Sequence, residues 1–244
     1  MKIPALLLPV LMLAPSLLPA QFLGKITYER VEGKDARVEV WISAEKIRFR
    51  STDFKSSRAK SMGLDAQEFF YDTQKKTLTL LMKEEKQALE VDVLTLKQMM
   101  DGLSALSGKP AEEPKEVPPA TVNKTSIKRK IAGTEAFKME IRPKDSKEVI
   151  DLWCTEKYKY DWKRLFDVLA LGGFNTDPAN AGWMSQNYVP LRLDFKNGDT
   201  LSSWEAREVI TSVKVSDFTL PAGYTLKSFQ QYMQEMMMKS MMGN

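Results

Sequence analysis

An α+β fold, mainly β and built on one antiparallel sheet, is what this 244-residue chain predicts, on three observations. Apolar and charged residues alternate with a period of two in most of the short runs along the chain. Charged or glycine-containing turns separate those runs at even spacing, as in a meander or barrel. Only three stretches carry helical periodicity, and they interrupt the strands rather than replace them.

The first segment reads as a leader. Lys2, an apolar run from Ala5 to Leu18, and Pro19-Ala20 before Gln21 are the parts of a cleavable signal over residues 1–20. The run is shorter than the roughly 20 residues a spanning helix needs, Pro9 and Pro15 break it, and Pro4 and Pro19 flank it. Position 21 is glutamine, so the cysteine that an N-terminal lipid anchor requires is missing there. Export across the inner membrane to the periplasm follows, with residues 21–225 as a single β-rich domain and no transmembrane span expected in the mature chain.

Within that domain, Ile26 and Tyr28 alternate with Lys25, Thr27 and Glu29. Val38, Val40 and Ile42 alternate with Arg37, Glu39 and Trp41, and Ile47 and Phe49 with Arg48 and Arg50. Such runs are antiparallel strands with one wet and one buried face. A polar loop at 55–66 precedes strands at Glu68–Asp72, Thr77–Met82 and Ala88–Val93, joined by charged tetrads. Leu96, Met99, Met100, Leu103 and Leu106 then fall on one helical stripe. The Pro- and charge-rich stretch 107–122 buries too little surface to fold and reads as a mobile linker. Strands resume at Ile127–Ile131, Phe137–Arg142 and Ile150–Thr155. Asp161 caps a short helix carrying Trp162, Leu165, Phe166 and Leu169, which Gly172-Gly173 ends. After a loop at 174–187, Asn197-Gly198 joins the strand at Leu191–Phe195 to a longer one at Leu201–Val215. The tail, Leu226–Asn244, reads as a helix with Leu226, Phe229, Met233, Met236 and Met237 in one stripe. Six of the chain's 14 methionines lie between Met233 and Met242.

Composition removes several functions. The net charge of +4 is mixed and falls by one when Lys2 leaves, too weak for a dedicated nucleic-acid binder. With no histidine and one cysteine, Cys154, the commonest general base and the usual zinc ligands are missing, and no internal disulfide forms. Cys154 sits on an apolar strand face as a small hydrophobe. The two Ser-x-x-Lys spacings, Ser43 to Lys46 and Ser57 to Lys60, lie in a turn and a polar loop without companion motifs. No catalytic residue, metal site or cofactor is assigned, and an enzyme is not expected. The basic run Lys124–Lys130 reads as a solubilising face. The methionines of the tail read as adaptable packing or partner contacts rather than a copper(I) site, since no cysteine or histidine assists them. Trp41 and Trp153 fall opposite the aliphatics of their strands, and a sheet apolar on both faces is covered twice or lines a cavity.

The stretch Asp217-Phe218-Thr219-Leu220-Pro221-Ala222-Gly223-Tyr224 resembles the closing signature of a family of exported bacterial proteins of unknown function, in which a strand ends in Phe-x-Leu-Pro-x-Gly-Tyr. The Ile131-Ala132-Gly133-Thr134 turn, and the strand Asp151-Leu152-Trp153 with its following helix, resemble that family's middle section. The family is similar in pattern to the periplasmic carriers of outer-membrane lipoproteins, open antiparallel half-barrels whose concave face binds acyl chains beneath short helices. The resemblance implies a curved sheet, an open half-barrel, with Leu94–Leu106 and Asp161–Ala170 as its covering helices. No residue here matches the carriers' lid arginine, and the linker and the Met-rich tail are additions to the pattern.

Two functions follow as expectations. In the first, a non-catalytic envelope protein holds a lipid, acyl chain or other apolar ligand against Trp41, Trp153, Leu96, Met100, Leu103, Trp162 and Phe166. In the second, the protein is an assembly factor that docks an envelope protein partner through Phe229, Met233, Met236 and Met237.

Overall fold

The computed structural model describes residues 20–33, 35–52, 67–96, 98, 120–144, 148–162, 186–198 and 200–241. Outside them lie the expected leader to residue 19, the expected polar loop 55–66, and the expected first helix beyond residue 98, with Met100 and Leu103. The expected linker to residue 119, the expected second helix beyond Trp162 with Phe166, and the expected loop as far as residue 185 lie outside them too.

Thirteen strands form one sheet among the described residues. They are β1 (Ala20–Gln21), β2 (Gly24–Arg30), β3 (Arg37–Ile42), β4 (Lys46–Ser51), β5 (Glu68–Asp72), β6 (Thr77–Met82), β7 (Gln87–Asp92), β8 (Ala120–Ile131), β9 (Thr134–Pro143), β10 (Glu148–Lys159), β11 (Tyr188–Asn197), β12 (Thr200–Ile210) and β13 (Thr225–Ser228). Their spatial order is β13-β7-β6-β5-β4-β3-β2-β12-β11-β10-β9-β8, with β1 beside β10. All neighbours are antiparallel except β13 with β7 and β1 with β10. The sheet is not closed into a barrel. A helix, α1 (Phe229–Met241), follows β13.

Register explains the core. Val209, Ile26, Val40, Phe49, Phe69, Leu80 and Leu89 are successive cross-strand partners from β12 to β7, so one face is apolar along the whole row. Met139, Leu152, Leu193 and Trp204 continue that face in the other half. The adjacent row, Thr27-Glu39-Arg50-Glu68, is polar, because successive side chains of a strand point to opposite faces. The apolar, inner face holds the main core cluster. On the outer face the sheet is coiled enough that Arg129 of β8 bonds Glu205 of β12, lying 4.6 Å above Trp153 of β10.

β2 to β7 fall within a residue or so of where alternation predicts them, whereas β1, whose Ala20 the sequence reading places in the leader, was not expected. Asp92 then caps a helical turn by accepting the Thr95 N–H at 3.0 Å, where the period changes. The β8–β9 hairpin turns through Ala132 and Gly133, both at positive φ (46° and 75°), as a two-residue type I′ loop requires.

Three boundaries differ from the sequence expectation. β8 starts at Ala120, inside the stretch read as linker, because Ala120–Val122 pair with Ile141–Pro143. β12 ends at Ile210 rather than Val215: its pairing with β2 runs out at Lys25, and the chain folds into a tight turn in which Asp217 accepts the Lys214 N–H at 2.7 Å. Leu226 belongs to β13 and not to the tail helix, because the edge of β7 pairs with Thr225–Ser228.

The N-terminal end of the sheet is also tied down. Phe22 is fully buried, stacks edge-on against Tyr158 at 5.4 Å and donates its N–H to the Lys159 carbonyl at 2.7 Å. Gly24 is required beside it, since a Cβ there would lie 2.0 Å from the Ile210 carbonyl oxygen. Phe22→Ala is expected to cost about 3–5 kcal/mol in denaturant unfolding, the cost of emptying a core aromatic site. Leu23→Ala, at an exposed neighbour, is expected to change stability by about 0.5 kcal/mol or less.

Candidate interaction surface

After β12 the chain wraps one edge of the sheet. Leu220 and Tyr224 pack on Phe70, Leu81 and Ala88, an apolar strip on the outer face. Arg48 donates to the Asp217 carbonyl at 2.8 Å, which fixes the start of this segment. Gly223, at φ +84°, makes the bend that returns the chain to the sheet. β13 then adds to the edge of β7, and Thr225 donates to the Lys86 carbonyl at 2.9 Å. Ser228 and Gln231 form a capping box: the Ser228 Oγ accepts the Gln231 N–H at 3.2 Å, and the Gln231 Oε1 accepts the Ser228 N–H at 3.1 Å. The helix starts there, and Phe229 enters the inner-face core. The segment therefore crosses from the outer face to the inner face around β7, and the Phe-x-Leu-Pro-x-Gly-Tyr stretch is the outer half of this clasp.

α1 divides along its length. Phe229, Tyr232 and Met233, at i, i+3 and i+4, pack against the core. Met236 lies at i+7 on the same stripe, yet it is 40% exposed. Met238 is 56% exposed, and Leu226 of β13 is 53% exposed. A shallow groove between β13 and the helix is lined by Leu226, Lys227, Gln231, Gln234, Glu235 and Met238. Lys227 pairs with Glu235 across it at 2.8 Å and holds the first turns of the helix against the strand.

Of the expected ligand residues, the four that are described divide between the two faces of the sheet. Trp41 is buried on the outer face, with Arg48, Lys25 and Arg50 over its ring at 4.5, 5.0 and 5.2 Å. Trp153 lies on the same face under Arg129. Both rings are thus covered by cations, an arrangement that stabilises by about 0.5–2 kcal/mol per contact and leaves no bare aromatic wall. Leu96 and Trp162 are in the inner-face core, where the Trp162 indole donates to the Tyr188 carbonyl at 2.8 Å. Of the expected partner residues, Phe229 is buried, Met233 is half-buried and Met236 is exposed. The Met237 side chain lies outside the description. Met238, which the sequence reading adds to the end of the stripe, lies nine residues after Phe229 and so on the opposite side of the helix, along the groove beside β13.

The outer face is an ion-pair surface. Glu39 is nearly buried among Lys25 (2.7 Å), Arg37 (3.1 Å) and Arg50. Burial pushes its carboxyl up, but the bonds from Lys25 and Arg50 outweigh that and hold it below the usual range. Glu205 is held down in the same way by Arg192 and Arg129 against its own burial. The basic run on β8 is largely paired: Lys124 bonds Glu156, Lys128 bonds Glu135 at 2.9 Å, and Arg129 bonds Glu205. Ser43 is a turn residue, accepting the Lys46 N–H at 2.8 Å. Cys154 is fully buried, and burial pushes its thiol up to about 12.

No protein-family model matches the chain, and no curated protein matches it. Among solved structures, the chain is similar to an uncharacterized conserved protein from Thermus thermophilus, at a TM-score of 0.43 and 10% identity, over 87% of this chain and 92% of that one. It is similar to MucB, solved in complex with MucA(peri), at a TM-score of 0.41 and 13% identity, over 85% of this chain and 56% of that one. PNGF-II is similar at a TM-score of 0.39 and 15% identity, over 86% of this chain and 32% of that one.

The ion pairs and the helix cap each predict an outcome. Because the Glu39 carboxyl titrates lower in the folded than in the unfolded chain, its contribution is present above the unfolded value of about 4.3 and is lost as pH falls through the folded one. Glu39→Gln is therefore expected to cost about 1–3 kcal/mol at neutral pH, and the gap to the parent is expected to close below roughly pH 4, read by denaturant unfolding across pH. Ser228→Ala is expected to cost about 1 kcal/mol, with faster amide exchange confined to the start of α1.

Proposed function

We propose that this protein is a non-catalytic interaction module of the cell envelope, exported by its N-terminal leader, that docks the Met-rich end of α1 into an apolar groove of a protein partner. The observation that carries this reading is the far end of α1, where Met236 continues the Phe229–Met233 stripe but is exposed, and Met238 is exposed on the opposite side of the helix. A helix presented in this way is held in its bound shape before the partner arrives, which removes part of the ordering cost of association. Methionine suits such a face, because its flexible thioether fills irregular grooves. The described residues contain no helix long and apolar enough to cross a membrane.

The apolar-ligand reading has less support. Leu96 and Trp162 offer it an inner-face wall, but Trp41 and Trp153 lie on the other face beneath cations. A photo-crosslinking residue at position 236 of the full chain, activated in whole cells, separates the two. The docking reading predicts a discrete protein adduct, absent when the probe replaces exposed Lys75 in the β5–β6 turn and lost when Met238→Glu is added. An acyl-lipid adduct would favour the ligand reading, and adducts of equal yield from positions 75 and 236 would contradict docking.

A further inference from the structure

Exposure separates the methionines whose side chains are described. Met82 and Met139 are 3% and 1% exposed in the core, whereas Met236 and Met238 are 40% and 56% exposed toward the end of α1. Met233 lies between, half-buried against the core. The anchor of the helix (the capping box, Phe229 and the Lys227–Glu235 pair) does not involve either exposed thioether. Chemistry at these two sulfurs can therefore change the surface of the helix without touching what holds it.

We propose that Met236 and Met238 are modification sites for peroxides, and that their sulfoxides turn the open end of α1 from an apolar to a polar surface while the clasp stays folded. In the step, a thioether lone pair attacks one oxygen of hydrogen peroxide. The S–O bond forms as the O–O bond breaks, the proton of the transferred oxygen moves to the departing one, and water leaves. Sulfur loses two electrons and the peroxide gains them. The sulfoxide is polar and chiral, and such a change disrupts Met-rich contacts until a sulfoxide reductase reverses it. As a means of regulating partner capture, the modification rests on the docking reading above. As a modification of this chain, it does not.

The test uses the full chain, freed of its leader, under native conditions with graded hydrogen peroxide and peptide mass mapping. Sulfoxide is expected at Met236 and Met238 about ten-fold faster than at Met82 and Met139, following their exposure. The oxidised chain is expected to elute earlier from a hydrophobic-interaction column with an unchanged thermal midpoint. The Met236→Leu/Met238→Leu double variant is expected to shift less than the parent under the same dose. Equal oxidation rates at the core methionines would overturn the proposal. So would an unshifted elution after full conversion at both sites, or the same shift in the double variant. These readings need no partner, so a chain that captures nothing sinks the docking reading alone, and equal rates sink this proposal alone.

Discussion

An open sheet leaves an unpaired edge and an uncovered apolar face, and the chain after β12 deals with both at the β7 end. The backbone of Thr225–Ser228 satisfies the β7 edge, whose free N–H and C=O groups would otherwise template another strand. Leu220 and Tyr224 cover the apolar strip on the outer face, and Phe229 enters the core on the inner one. The order of these contacts dictates where α1 begins and which of its side chains serve the fold. Its first turns are structural, and Met236 and Met238 beyond them face solvent.

The rest of the outer face is stabilised differently. There, aromatic rings and acidic side chains sit beneath arginines and lysines from neighbouring strands. Arg48 is the link between the two regions: it stacks on Trp41 and Phe70, bonds Glu68 and holds the Asp217 carbonyl. A nearly buried carboxylate such as Glu39 is tolerated because three cations offset its desolvation. The consequence for function is that both tryptophans are used in holding the sheet together.

Strict alternation made the antiparallel strands legible, since each apolar residue two positions from the last must fall on the same face. It placed Trp41 and Trp153 opposite the aliphatics. It was silent on what covers them, because Lys25 and Arg48 meet Trp41 only through the registers of β2–β3 and β3–β4. β13 was not legible: Leu226, Phe229 and Met233 fit a helical spacing, and a four-residue strand is too short to break that pattern. The signal that could have found the helix start was the Ser228-x-x-Gln231 capping box. The end of β12 was hidden for a related reason, as Val213 and Val215 continue the alternation past the point where β2 can pair. Of the interaction surface, the apolar stripe was legible, and its division into anchor and open end was not, because that depends on where the sheet stops beneath the helix.

The division of α1 into an anchor and an open end is most directly tested by thermal unfolding of nested C-terminal truncations. A chain ending at Glu235 keeps the edge strand, the capping box, Phe229 and the Lys227 ion pair, and is predicted to melt with the full-length protein. A chain ending at Tyr224 loses all of them and is predicted to melt well below it. If the chain ending at Glu235 loses as much stability as the one ending at Tyr224, the methionine end is part of the core and α1 has no open end.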